Sequence, residues 1–419
     1  MKFYEIFTPN GQPTVTYVSR NNSDLEKRLR SYLETPNMLI SISGSTKSGK
    51  TVLLKTVMKE EHLIAISGST IKTVDAFWTA IMCWMDVPVA KTVTGMGTYG
   101  VHCEAQAQGS VSTLLVKGKV SGGGGMSYGS STSTCESVAI SPFMQVVKDI
   151  ANSEYLLFID DFHYIPSETQ TDLAKIIKGL AENGVKVCVA SVPHRNEDVL
   201  TANPELRGRV ASIQIPEWSQ DELLQIATQG FNVLNIDINL EYLSNFSKEC
   251  FGSPQLMQAI CYNICLKFDI VEPRLDRYPI ELTHELFESV LQNATDLAVF
   301  KSTVDLFLKG PKVHGVERKQ FQFIDGSQGD VYRAILLAVK SDPPCRSFSY
   351  DDIINRVKSV CINSVPTGSS ISSSLSQLME IENEFVGEFS ILEWDESYLT
   401  IIDPYFYFYL RNSQILSQL

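Results

Sequence analysis

The 419-residue chain has no apolar run approaching the ~20 residues that cross a bilayer, and its opening residues, Met1 to Phe7, are too short an apolar patch for a signal peptide. A cytoplasmic protein without a membrane span is expected. No two of its nine cysteines (83, 103, 135, 188, 250, 261, 265, 345 and 361) have the Cys-x-x-Cys spacing of a zinc or dithiol site. Several lie in apolar runs such as Val187-Cys188-Val189, so buried, reduced thiols are the expectation, ahead of disulfides or a zinc site. Basic charge is also scarce. Thirty-five Lys and Arg against 48 Asp and Glu give a net charge of −13, which argues against the broad basic face on which nucleic-acid binding usually depends.

What is present is a 44% hydrophobic composition, enough for two or three domains, and a complete Walker A loop. Gly44-Ser45-Thr46-Lys47-Ser48-Gly49-Lys50-Thr51 stands between an apolar run, Met38 to Ile42, and a helix-forming run from Val52 to Lys59. The glycines let backbone N–H groups turn inward around phosphate oxygens, and the helix starting at Lys50 directs its positive dipole end at them. Residues Gly44 to Val52 are therefore expected to bind nucleotide. Lys50 would reach the β- and γ-phosphates, and Thr51 would ligate Mg²⁺.

About 110 residues on, Leu156-Leu-Phe-Ile-Asp160-Asp161 has the form of a Walker B element. Four apolar residues of a buried strand carry two carboxylates to its C-terminal end, where an α/β sheet presents its ligand site. Asp160 would hold Mg²⁺ through water and Asp161 would polarise the attacking water. One strand later, Val187 to His194 ends in polar groups at the same edge. Ser191 is a candidate contact for the γ-phosphate or the attacking water, the alternative being a strand-end hydroxyl satisfied by backbone; His194 reads as a surface-loop residue.

Periodicity and turn signals divide the chain. Residues 1–37 form an entry segment, with a short extended stretch over Thr14–Arg20 and a helix over Asp24–Leu33 capped by Ser23. Residues 38–216 alternate strands and helices, which implies a parallel sheet covered on both faces. This core is interrupted at 91–138 by an insertion holding ten of the 25 glycines, read as a hairpin with a flexible tip at Gly122–Gly125. From Trp218 the pattern turns helical, opening on the capping box Ser219-Gln-Asp-Glu222, and 217–280 reads as a lid. Residues 281–419 carry helices near 283–309, 329–341, 350–361 and 370–380 and a closing ribbon from 388–394 and 398–402. Helices followed by a ribbon suggest a winged helix-turn-helix. The fold class expected is thus α/β: a P-loop NTPase parallel sheet with a helical lid and a C-terminal winged-helix-like domain.

Together these motifs resemble the AAA+ and STAND ATPases, particularly the prokaryotic branch similar to origin-recognition ATPases. Motifs carry the resemblance over roughly residues 14–275, architecture over the remainder. It implies that the segment Tyr17-Val-Ser-Arg20 lies against adenine, with Tyr17 and Arg20 at the cofactor, and that Pro254 of Gly252-Ser-Pro254 stands near the base. It also implies that Asn203-Pro-Glu-Leu-Arg-Gly-Arg209 ends in an arginine finger, so that Arg209, ahead of Arg207, acts catalytically on a neighbouring subunit's nucleotide. A finger in trans implies a homo-oligomer. Typical lids carry an arginine after the proline; Gln255 stands there, which favours a slow switch over a fast motor. The function implied is an ATP- and Mg²⁺-dependent molecular switch that controls a partner protein, as in bacterial defence. The second reading is a DNA-associated loader or transposition-type ATPase.

Charge weighs between them. Residues 281–419 hold eleven Lys and Arg against nineteen Asp and Glu, and Ser370 to Leu378, where a recognition helix would lie, has no basic residue. A protein partner is therefore expected ahead of DNA. The one basic strip, Lys309 to Lys319, is a candidate contact for phosphate or an acidic neighbour, with a solvated loop as the alternative.

Overall fold

The computed structural model describes residues 1–20, 24–86, 141–192, 208–297, 300–311, 318–385 and 390–416. The insertion at 91–138, His194 and Arg207 lie outside these residues, as does most of the loop before Arg209. A one-turn helix α1 (Phe3–Ile6) and helix α2 (Leu25–Glu34) precede an alternating core: β1 (Leu39–Ser43), α3 (Lys50–Val57), β2 (Leu63–Ser67), α4 (Val74–Trp84), α5 (Pro142–Ile150), β3 (Leu156–Asp160), α6 (Ser167–Glu182), β4 (Lys186–Ser191) and β5 (Val210–Gln214). The five strands form one parallel sheet in the order β2-β3-β4-β1-β5.

Strand period decides which helices each side chain meets. In β3, Leu157 and Ile159 join the cluster under α4, α5 and α6, while Leu156 and Phe158 face α2 and α3. β4 repeats the alternation with Val187 and Val189 on one side, Cys188 and Ala190 on the other. Both faces being covered, these strands read as continuous apolar runs, and truncating the fully buried Phe158 to Ala would cost about 3–5 kcal/mol.

The entry segment departs from its expected form. Tyr17 N–H donates to the Thr14 carbonyl, so Thr14–Arg20 is a turn with a loop and forms no strand. Ser23 is outside the described residues; Asp24, in the left-handed region at φ 47°, occupies the cap position of α2 without a side-chain cap bond. The segment also serves two cores. Phe3, Ile6 and Phe7 pack with the lid, whereas Leu25, Leu29 and Leu33 pack on the sheet.

The lid comprises α7 (Gln220–Val233), opened by the reciprocal Ser219/Glu222 capping box, then β6 (Ile236–Ile238), α8 (Leu240–Lys248), α9 (Pro254–Lys267) and β7 (Tyr278–Ile280). β6 and β7 pair in parallel, a ribbon too short for periodicity to reveal. The helical stretch expected over 283–309 is broken into α10 (His284–Ala294) and α11 (Lys301–Lys309). After them come β8 (Phe321–Phe323), β9 (Gln328–Gly329), α12 (Val331–Lys340), β10 (Ser347–Ser349), α13 (Tyr350–Val360), β11 (Cys361–Ile362), α14 (Gly368–Phe385), β12 (Leu392–Trp394), β13 (Tyr398–Ile401) and α15 (Pro404–Asn412). Helices α12 to α14 with the antiparallel sheet β10-β13-β12 make the winged-helix unit. Its basic strip is partly internal: Arg318 donates to the Lys309 and Pro311 carbonyls and to Asp330. Helix α15 has no counterpart in the sequence reading. It joins two cores, with Tyr405 and Phe408 in the lid cluster and Phe406, Tyr407 and Leu410 in the winged-helix cluster.

Among the described residues no helix is long and apolar enough to cross a membrane. Cys188, Cys250, Cys261 and Cys265 are buried free thiols.

Candidate nucleotide site

Because the sheet is parallel, Ser43, Ser67, Asp160, Ser191 and Gln214 end their strands at one edge, and the phosphate loop leaves β1 there. Gly49 caps α3 at φ +97°, a conformation that costs an L side chain energy and glycine little, so the chain can turn from loop to helix in one residue. The first N–H groups of α3 are left without helical partners, which suits this end to an anion. Lys50, 7% exposed, folds its Nζ back on the loop, donating to the Gly44 and Ser45 carbonyls at 2.9 and 3.2 Å. Burial lowers its pKa, with Asp160 and Asp161 opposing the shift. Ser48 Oγ is buried without a hydrogen-bond partner, a polar atom aimed at nothing this chain supplies among the described residues.

The two motifs meet directly. Thr51 Oγ1 donates to Asp160 Oδ2 at 3.0 Å, although β4 separates their strands in the sheet. Asp160 also accepts from the Asp161 N–H at 3.0 Å. Asp161 is in the left-handed region at φ 53°, which turns it out of the strand direction. Its carboxyl is pushed up to about 6, first by burial, then by Asp160, with Lys50 acting the other way. Gly68, which follows β2, lies flat against this turn: a Cβ there would overlap the Asp161 carbonyl oxygen.

These groups open on a cavity of about 930 Å³ lined by Thr46–Leu53, Asp160 and Asp161 from the core, Tyr17 and Arg20 from the entry segment, Pro254 and Gln255 from the lid and Asp403 from the C-terminal unit. Tyr17 hydrogen-bonds Glu26 at 2.6 Å. Arg20 is committed to the core–lid junction, donating to Glu222 and to the Pro216 and Glu217 carbonyls, with its guanidinium 4.9 Å from the Trp218 ring centroid. Pro254 is the first residue of α9, behind Gly252 and the capping Ser253, and Gln255 donates to Asn10. Ser191 is buried; its carbonyl accepts from the Gly44 N–H, and it is not among the residues lining the cavity. Arg209 is elsewhere. It precedes β5 at the opposite sheet edge, its carbonyl accepting from the Leu39 N–H and its side chain paired with Glu182.

Three residues at the site had no role in the sequence reading. Trp218 Nε1 donates to the Ser48 carbonyl at 2.9 Å, tying the lid hinge to the phosphate loop. Tyr164, its phenol raised to about 12 by burial with help from Asp161 and Asp403, lies on the same wall. Asp403 meets Lys47, 356 residues away in sequence. The Asp403-Pro404 pair is an N-cap and N1 signature that would have located α15, but nothing local links it to the loop.

The donor set suits a magnesium nucleotide. No group of three or more His, Cys, Asp or Glu among the described residues is placed to hold a metal unaided. One carboxylate and one hydroxyl, with substrate phosphates and waters completing the shell, is how Mg²⁺ is usually bound. The orphan Ser48 hydroxyl and the unpartnered helix end fit phosphate oxygens.

Parallel sheet, phosphate loop, Walker B turn, helical lid and winged-helix unit together define a P-loop NTPase fold. No family model matches the chain, and no curated protein matches it in sequence. Solved structures do. It is similar to Cdc6p from Pyrobaculum aerophilum at 12% identity and TM-score 0.44, covering 99% of this chain and 98% of that one. The Walker-type ATPase of Pyrococcus abyssi has 13% identity, TM-score 0.49 and coverage of 95% and 100%. The ORC2 protein of Aeropyrum pernix has 11% identity, TM-score 0.49 and coverage of 99% and 98%.

Proposed function

We propose that the chain is a Mg²⁺-dependent ATPase that works as a molecular switch, assembling with copies of itself and controlling a partner protein. The observation that carries the reading is the Thr51–Asp160 contact beside Lys50 and Asp161, which brings a hydroxyl–carboxylate pair, an ammonium group and a raised-pKa carboxylate around one cavity. Lys50 would leave its own loop carbonyls for the β- and γ-phosphates. Thr51 and Asp160 would hold Mg²⁺, which when bound supplies charge neutralisation at those phosphates. Asp161, ionised above about pH 6, would orient and deprotonate the attacking water. Tyr17 and Pro254 would flank the base.

Support for a switch comes from the walls of the cavity, which entry segment, lid and C-terminal unit all help to form, so that occupancy bears on their arrangement. The exposed side of α14 offers Ser370, Ser373, Ser376 and then Glu380 and Glu384, a surface suited to a protein partner and poor in the cations duplex binding requires. Arg209, paired with Glu182 in its own chain, would exchange that partner for a neighbour's nucleotide on assembly. The test is ATP turnover together with mass in ATP, each measured with and without duplex DNA. Turnover unaffected by DNA in a particle larger than one chain is expected; stimulation by DNA would move the reading to a DNA-associated loader.

A further inference from the structure

Lys47 lies within the phosphate loop in the left-handed region at φ 61°, and its side chain leaves the loop for the C-terminal unit. Its Nζ donates to both oxygens of Asp403, at 3.1 and 3.0 Å, and stands 4.1 Å from the Tyr405 ring centroid. The position of Asp403 is fixed from behind, because its Oδ1 also accepts from the Tyr405 N–H at 2.7 Å and so caps α15. That helix is bound into the lid. Arg411 pairs with Glu249, Arg346 donates to the Phe251 carbonyl, and the rings of Phe251 and Tyr407 lie 4.5 Å apart. Lid and C-terminal unit therefore share apolar cores and several partly buried polar links, whereas the phosphate loop meets the C-terminal unit at Lys47–Asp403 through an ion pair of 30% and 17% side-chain exposure. Such a pair is weak and exchanges partners readily.

We propose that Asp403 is a specificity-determining residue that competes with nucleotide phosphate for Lys47, so that a triphosphate, in taking Lys47, parts the C-terminal unit from the loop. The inference rests on the nucleotide reading above. Both groups line the same cavity as Lys50, Thr51, Asp160 and Asp161. The chemistry is a choice between anions. A carboxylate holds Lys47 by two oxygens; a polyphosphate at the mouth of α3 carries more charge and meets Lys47 without leaving the loop, while repelling Asp403. A triphosphate gains more from Lys47, and is repelled more by Asp403, than a diphosphate. Binding is reciprocal, so whatever tightens the Lys47–Asp403 contact weakens triphosphate affinity by the same factor.

The test is a double-mutant cycle in the full chain: ATP and ADP affinities of the parent, Asp403→Asn, Lys47→Gln and the double variant, with Lys50→Ala as control. Asparagine keeps an oxygen to cap α15 and removes the charge; Asp403→Ser, which also caps, is an independent check on any folding defect. Asp403→Asn is expected to raise ATP affinity roughly fivefold, the scale of a partly exposed ion pair, and ADP affinity less than twofold. In the Lys47→Gln background the gain should shrink at least about twofold. Parent-like ATP affinity in both Asp403 variants, equal gains for ATP and ADP, or full additivity with Lys47→Gln would overturn the assignment. If the parent itself binds no ATP, the nucleotide reading fails instead; if the parent binds and Lys50→Ala does not, a negative result falls on Asp403 alone.

Discussion

The Thr51 hydroxyl donates to the Asp160 carboxylate at 3.0 Å, joining the first turn of α3 to the end of β3 across an intervening strand. Thr51→Ala removes one of the two protein groups proposed to hold Mg²⁺ and leaves the phosphate loop backbone intact. ATP binding should lose most of its Mg²⁺ dependence, read as the ratio of affinities with Mg²⁺ and with EDTA.

Lys50→Ala should lower ATP affinity by about 100-fold or more, equivalent to ~2.8 kcal/mol, the scale of losing a buried charge-assisted contact to phosphate. Calorimetric titration checks it, and an unchanged Kd would remove the nucleotide reading altogether.

Asp161→Asn should retain ATP binding and lose at least ~100-fold in turnover, the usual loss of a positioned base. In the parent, kcat/KM should rise with pH through about 6 and then level, since the base is needed ionised; the variant should lack that limb. Stability should move oppositely. A carboxyl raised in the folded protein from 3.8 to about 6 favours the fold below its unfolded value, and that contribution disappears as pH rises through about 6. Nucleotide-free Asp161→Asn should therefore exceed the parent in stability at pH 8, by on the order of 1–2 kcal/mol after allowance for solvent screening, with the difference closing by pH 4. Urea unfolding at the two pH values measures it.

Gly68→Ala tests the packing behind the Asp161 turn. A Cβ at this position overlaps the Asp161 carbonyl, so the Walker B turn must shift to admit it. Turnover should fall at least about tenfold while ATP affinity stays within a few-fold of the parent, because misplacing a base by a fraction of an ångström costs rate ahead of binding. Normal turnover would mean that the turn adapts freely.

Arg209→Ala should be inactive alone, as should Lys50→Ala. Mixed, they should partly recover activity, because some interfaces then unite an intact loop with an intact finger. A single-chain mass in ATP, or normal turnover by Arg209→Ala, would leave Arg209 as the partner of Glu182 only.

The expected secondary elements of the core appear where the local signal is strong. Leu156–Ile159 is a four-residue apolar run because both of its faces are covered, and Ser219 with Glu222 is a capping box complete within four residues. Short-range chemistry failed where an element depends on distant partners. Tyr405 to Leu410 is an aromatic run without helical periodicity, since α15 is apolar toward the lid on one side and toward the winged-helix unit on the other. β6 and β7, three residues each, exist only as a pair.

The phosphate loop is legible in the chain because glycine spacing, Lys50 and Thr51 act through the backbone they sit on, and so is the strand that ends in Asp160-Asp161. What closes the site depends on packing between distant segments. Trp218 reaches Ser48 across 170 residues and Asp403 reaches Lys47 across 356, contacts made when apolar packing brings lid and C-terminal unit over the sheet edge. Charge complementarity between Lys47 and Asp403 leaves no periodic trace in a chain, since an ion pair depends on distance in space and the intervening sequence is free to vary.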